Sequence, residues 1–566
     1  MKIKTFLFLL IVGTGLKAFT QNPIVIPDTI AGGAISLTMH SDTVQFLQGT
    51  KTPTYGFNQY PYLGPTLILK KGQPVSITVY NQIDDTTAIH WHGLHVGPRN
   101  DGGTHLFILP SQSWNPQFTV LDRASTYWYH PHLHGKTAKQ ALWGAAGFII
   151  VRDSMEATLN LPRYYGVDDF PIAVQCMQFD SVNQIMPRGM QDSILLVNGT
   201  INPLVNLPAQ VVRLRLLNAG GERTFNFGFT GNKTFYMIGS DGGLLPAPIL
   251  STRIRLSPGE RAEVLLDLTG LNGQNLYLMS YASELPTGVQ GGPTMIMPPG
   301  SPPMDSPLNG INFNILKISV APATSNPVTT IPASLVPGTP ILESMANTTR
   351  TITMTAENMM SMDGPFFLNG QLFDMNRVDY QVPLNNTEIW VLQNQTMVAH
   401  PIHIHDVQFY ILDRDGNPVL PAERGRKDVV LVLPNETVRF ITKFEDFSDS
   451  IVPYVFHCHI LMHEDDGMMG QFLVLKGATG IDTQPFGLIA PVVYPNPADD
   501  RLTIDFNQHV TGDISIYSFD GKTVLTSRVL DTYKVTIDVK DLKAGMYFII
   551  VSSPTISAIN RFIISR

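Results

Sequence analysis

The 566-residue chain has only two cysteines, Cys176 and Cys458. Exported chains commonly use cysteines in pairs, as disulfides, so a single intrachain bridge is the most this sequence allows. It allows none if either thiol has another role. Charge is also scarce: Asp, Glu, Lys and Arg make up 15% of the chain, against ~25% in an average soluble protein. The net charge is −8, and no basic patch invites nucleic acid or an anionic membrane. Long apolar runs are missing as well. Phe6–Val12, preceded by two lysines and followed by small and polar residues, is too short to cross a bilayer. Residues 1–22 therefore read as a signal peptide, and the mature protein is expected to be exported. No transmembrane segment is expected elsewhere.

Turn formers are abundant, with 46 Gly and 42 Pro. Between them lie short runs of β-branched or alternating residues, such as "RAEVLLDLTG" and "ETVRFITKF". This is an all-β pattern, most simply several sandwiches in tandem. Three phrases resemble one another: "KKGQPVSITVYNQ" (70–82), "LPAQVVRLRLLNAG" (207–220) and "VPLNNTEIWVLQNQ" (382–395). Each offers a turn, a strand and then Asn, at intervals of about one domain. We expect β-domains at residues 24–155, 160–320 and 345–476, with a Pro/Gly/Met loop at 284–310 and a Pro/Thr/Ser linker at 321–340. The strand-rich residues 490–566 suit a small fourth β-domain.

None of the 15 histidines lies between 135 and 399. Twelve fall in four clusters: "HWHGLH" (90–95), "HPHLH" (130–134), "HPIHIH" (400–405) and "HCHILMH" (457–463). Each contains His-x-His, and on a strand residues i and i+2 point to one face. His90/His92, His130/His132, His403/His405 and His457/His459 thus offer eight nitrogens, too many for one tetrahedral zinc but suited to several metals at a domain junction. Cys458 must point the other way from His457 and His459. His400 has the opposite parity to His403 and His405. With His463 and Met468, these residues supply a thiolate, two imidazoles and a thioether, the blue-copper donor set. Cys176, in the apolar run "AVQCMQF", reads as a buried inert thiol.

These motifs resemble those of the multicopper oxidases of laccase type. "HWHG", "YHPHLHGKTAKQ", "HPIHIH" and "HCHILMHEDDGMM" occur in that family's order. "GSDGGLL", "LSPGERAEVLLDL" and "FFLNGQLFDMNRVD" are similar to the three-domain bacterial branch of copper-efflux oxidases and spore-coat laccases. The resemblance covers about residues 30–476 and implies three cupredoxin-like Greek-key sandwiches holding four copper ions. It implies a type 1 copper on His400, Cys458, His463 and Met468, a type 2 copper on His90 and His403, and a type 3 pair on His92, His130, His132, His405, His457 and His459. Four one-electron oxidations of a reductant at the type 1 site would then reduce dioxygen to two waters at the trinuclear cluster, with Cys458 as the electron path. Asp101 and Glu464 match the family's proton-relay acids. The other five histidines, His40, His95, His105, His134 and His509, are expected to be surface or supporting groups.

The reductant is less determined. Phenols and aromatic amines are the first expectation. The alternative is a cuprous or other metal-ion oxidase serving copper tolerance, for which Met295, Met297, Met304 and the "TMTAENMMSMDG" segment (353–364) offer soft thioethers. A copper-binding protein without turnover belongs to another class, and some family members that have lost the ligands act in cell division. The tail, with "YPNP", "DGK" and "LKAGMYFIIV", resembles the C-terminal sorting domain of the type IX secretion system. That implies recognition by secretion machinery and a cell-surface or extracellular destination.

Overall fold

The computed structural model describes residues 21–188, 191–294, 306–358, 364–476, 492–518, 522–552 and 557–565. The expected signal peptide lies outside these apart from its last two residues, as do Met295, Met297 and Met304. Among the described residues the fold is almost entirely β, with a few short helices, in three two-sheet sandwiches and a tail. Alternation builds the strands. In Pro74–Asn81, Val75, Ile77 and Val79 are buried while Ser76, Thr78 and Tyr80 are not, so one face packs and the other meets solvent.

The three recurring phrases form the same strand in each sandwich. Pro74–Asn81 runs parallel to Ala34–Val44, Val211–Asn218 to Asp169–Met177, and Thr387–Asn394 to Thr348–Ala356. The Asn that ends each phrase has a common task. Asn81 Nδ2 donates to the carbonyls of Asp85 and Ile108 (both 2.8 Å). Asn218 Nδ2 donates to Arg223 and Leu256, and Asn394 Nδ2 to Val398 and Val432. Each Oδ1 accepts a backbone N–H two residues on. A buried amide thereby satisfies carbonyls that the chain leaves unpaired as it turns out of the sheet.

In the first sandwich Ile89–His92 is the edge strand beside Ser125–Pro131. In the third, His400–Ile404 lies between Tyr454–Cys458 and Val429–Val432. These strands carry the histidine clusters. Tyr62 and Trp128 of the first sandwich, Leu196 and Leu217 of the middle one and Leu461 of the third share one apolar cluster, which packs the three together. Asn22–Pro23 pairs with Pro203–Leu204 of the middle sandwich before the chain enters the first. The tail is one five-stranded sheet around its own core of Leu502, Ile514, Ile549 and Phe562. Register shifts between Asp505 and Gly512 put bulges in its long Arg501–Ser518 strand, where a sheet bends.

Candidate metal centre

Cys458 closes the Tyr454–Cys458 strand, opposite Ile402. Its Sγ lies 3.6 Å from His400 Nδ1 and 3.6 Å from His463 Nδ1. His463 stands on the short Leu461–Asp465 helix. Met468 is fully buried in the same core, and its carbonyl accepts the Cys458 N–H. His400 Nε2 and Thr396 Oγ1 are 2.8 Å apart, and that hydroxyl also reaches Asn394 Oδ1. The repeated Asn turn of the third sandwich thus extends through Thr396 to orient His400. The Phe366 ring packs on both His400 and His463.

On the opposite side of the strand, eight imidazoles converge, all fully buried or nearly so. His90 Nε2 and His403 Nε2 are 3.4 Å apart. His92 Nδ1 is 3.3 Å from both His130 Nε2 and His459 Nε2. His132 Nε2 is 3.0 Å from His457 Nε2 and 3.1 Å from His405 Nε2. The rear nitrogens explain the orientations. Nδ1 of His90, His130, His403 and His457 donates to the carbonyls of Asp101, Pro131, Asp428 and Cys458. Nδ1 of His405 meets Asp101 Oδ2 at 2.7 Å. Each of these rings therefore turns its Nε2 lone pair inward. His92 is reversed: its Nε2 meets Asp428 Oδ1 at 3.1 Å, which leaves Nδ1 facing the cluster.

Burial drives His92, His130, His132, His403, His405, His457 and His459 to low pKa, and proximity to one another lowers His92, His130, His132, His403, His405 and His459 further. Burial alone takes His400 to about 3. These seven rings and His400 are neutral at ordinary pH, with lone pairs free to ligate. Neutral imidazole lone pairs at 3.0–3.4 Å repel unless a cation lies between them, so this donor set fits bound metal. Burial likewise raises the Cys458 thiol, which a soft cation would deprotonate.

Asp101 and Glu464 both lie against the cluster. Asp101 Oδ1 is buried without a hydrogen-bond partner and lies 3.5 Å from His90 Nδ1. Glu464 accepts a hydrogen bond from Thr137 Oγ1 (2.8 Å) and approaches His457 Nδ1 (3.3 Å) and His132 Nδ1 (3.6 Å). Burial, then the neighbouring Asp465, push Glu464 well above the usual carboxylate range. The remaining histidines stand apart. His509 is exposed, His134 packs on Phe373 and His105 pairs with Gln471. His95 sits among Asp406, Asp446 and Asp122. Of the thioethers considered for cuprous ion, Met354 is fully buried core, and Met359, Met360 and Met362 lie outside the described residues. Sequence reading missed Asp428, Arg261 and Thr396.

Family models described as multicopper oxidase match residues 38–156 and 339–478, and a secretion system C-terminal sorting domain matches 492–565. The multicopper oxidase Mco of Staphylococcus haemolyticus is 33% identical over 439 residues, covering 76% of this chain and 86% of its own length. The cell division protein FtsP of Escherichia coli is 30% identical over 465 residues, covering 80% and 93%. Among solved structures, the laccase-like multicopper oxidase CueO of Ochrobactrum sp., with oxidase activity towards lignin model compounds and lignosulfonate, superimposes with a TM-score of 0.69 at 30% identity, covering 80% and 100%. The multicopper oxidase of Campylobacter jejuni, a metallo-oxidase, gives 0.67 at 26%, covering 81% and 96%.

Proposed function

Because this chain belongs to the multicopper oxidase family, we propose that it is a laccase-like enzyme oxidising phenols and aromatic amines, with four copper ions in a mononuclear and a trinuclear site. The chain is a copper-dependent oxidoreductase that uses oxygen. Its sorting domain marks it for export to the cell surface or medium, and among the described residues no helix is long and apolar enough to cross a membrane.

One observation supports the site assignment most: Cys458 Sγ faces His400 and His463, while its neighbours His457 and His459 face His132 and His92. His400, Cys458, His463 and Met468 would hold the type 1 ion, His90 and His403 the type 2 ion, and His92, His130, His132, His405, His457 and His459 the type 3 pair. Bound copper supplies the one-electron chemistry and the four-electron reduction of dioxygen to water. The protein's own residues set access and protons. Of the four mononuclear-site residues only His463 is not at zero exposure, at 4%, so an electron donor would approach the site most directly on its side. Glu464 stands beside His457 Nδ1, and Asp101 Oδ1 offers a buried acceptor near His90. Together they would feed protons to the dioxygen side.

The phenolic reading rests on likeness to the laccase-like Ochrobactrum enzyme. The second reading, metal-ion oxidation, is favoured by the Campylobacter metallo-oxidase neighbour. Steady-state oxygen uptake with a phenol and with cuprous ion, on one copper-loaded preparation, separates them. The proposal expects the higher kcat/KM with the phenol, and the reverse order would replace it.

A further inference from the structure

The middle sandwich has no histidine in its described residues, yet one of its side chains reaches the cluster. Arg261 opens the apolar Arg261–Asp267 strand and is fully buried. Its donors are all used. Nε donates to Thr126 O (3.1 Å), Nη1 to Gly259 O (3.1 Å) and Asp428 Oδ1 (2.5 Å), and Nη2 to Asp241 O (3.0 Å) and Asp428 Oδ2 (2.7 Å). These partners come from the first, middle and third sandwiches. The neighbouring cation is engaged elsewhere, since Lys427 pairs with Asp241 Oδ2 and Glu260 Oε1. The Arg261 fork therefore grips both oxygens of one carboxylate, and that carboxylate meets His92 Nε2 at 3.1 Å while its backbone oxygen accepts from His403 Nδ1. Gly93 makes the approach possible. Its φ is +89°, and a Cβ there would fall 2.5 Å from Asp428 Oδ2 and 2.6 Å from Arg261 Nη2.

We propose that Arg261 is a positioning residue for the trinuclear site: through Asp428 it holds His92 as the tautomer that carries its proton on Nε2 and turns Nδ1 to the metal. The proposal rests on the copper assignment above. Five of the other rings have their tautomer set by a carbonyl or carboxylate at Nδ1. His92 needs an acceptor at Nε2 instead, and the bidentate ion pair supplies one in a fixed plane. Lysine could not replace the fork, because an ammonium is a point charge without a planar pair of donors. Groups that orient a metal-bound histidine in this way typically change metal affinity by about 10–100-fold when removed.

The test is a chelator titration of the copper-loaded wild type, Arg261→Lys, Asp428→Asn and the double variant R261Q/D428N, which removes both charges and so leaves neither ion buried alone. Copper retained per chain, blue absorbance and melting of the copper-free protein are read together. The expected result is release of cluster copper at about 10–100-fold lower chelator in the variants, with blue absorbance and copper-free melting preserved in Arg261→Lys and in the double variant, which leave no ion buried alone. Wild-type retention in all three variants would overturn the role. So would parallel loss of blue absorbance and copper-free stability in Arg261→Lys and the double variant, which would make the pair a structural clasp only. Failure of the wild type itself to bind copper would sink the copper assignment rather than this inference.

Discussion

At the scale of single residues, charge and protons decide what each side chain can do. Asp101 combines a buried, unpartnered oxygen with a 2.7 Å contact to His405 Nδ1. Asp101→Asn keeps an acceptor for His405 but removes the proton-carrying group. Copper content should persist while oxygen turnover falls by about 10²–10⁴-fold, the usual range for a lost acid or base. Undiminished turnover would take Asp101 out of the relay. His95 illustrates the opposite sign. Burial would lower its pKa, but Asp406, Asp122 and Asp446 outweigh burial and hold it up at about 10. Its folded value exceeds the unfolded value of about 6.5. Its contribution to stability is therefore complete below about 6.5 and fades as pH rises towards 10. The melting-temperature difference between wild type and His95→Gln should shrink steadily over that interval, and a difference that grew with pH would contradict the ion-pair account.

At the scale of elements, strands and turns aim the ligands. The Asn394 turn leads through Thr396 to His400 Nε2, which leaves Nδ1 for the sulfur side. Thr396→Val keeps the shape and removes the hydroxyl. It should weaken copper retention at the blue site by about 10–100-fold while the copper-free fold survives, and an unaltered blue band under chelator would refute the link. Much of this scale could be read in advance. His-x-His spacing and the parity of Cys458 and His400 are local properties of extended chain. The three recurring phrases announced the equivalent strands. The supporting groups were hidden because their partners are remote: His92 and Asp428 are 336 positions apart. One signal was present, since an arginine inside "LSPGERAEVLLDL" must be buried if the run is a core strand, and a buried arginine needs a partner. The pairing of Asn22–Pro23 with the middle sandwich had no local signature at all.

At the scale of the whole molecule, buried ion pairs tie the histidine-free middle sandwich to its neighbours. Glu263 accepts from Arg213 and Arg215 and from Thr126 of the first sandwich, and Arg215 also grips Asp169. Asp169 is held well below the usual carboxylate range, since Arg215 and Arg213 outweigh the burial that would raise it. Glu263→Gln leaves these guanidinium groups short of an anion and should cost about 3–5 kcal/mol, seen as a lowered calorimetric transition. No loss of melting temperature would show the network to be dispensable. The tail has its own core and its own sorting-domain match, consistent with a transport signal separate from the oxidase body. The central claim is that one sulfur faces a copper site on one side of its strand while the flanking imidazoles serve another across it. The visible absorption spectrum of the copper-loaded protein tests this most directly. It should show an intense blue thiolate-to-copper band that vanishes in Cys458→Ser, and a colourless wild type, or a blue band that survives that substitution, would contradict it.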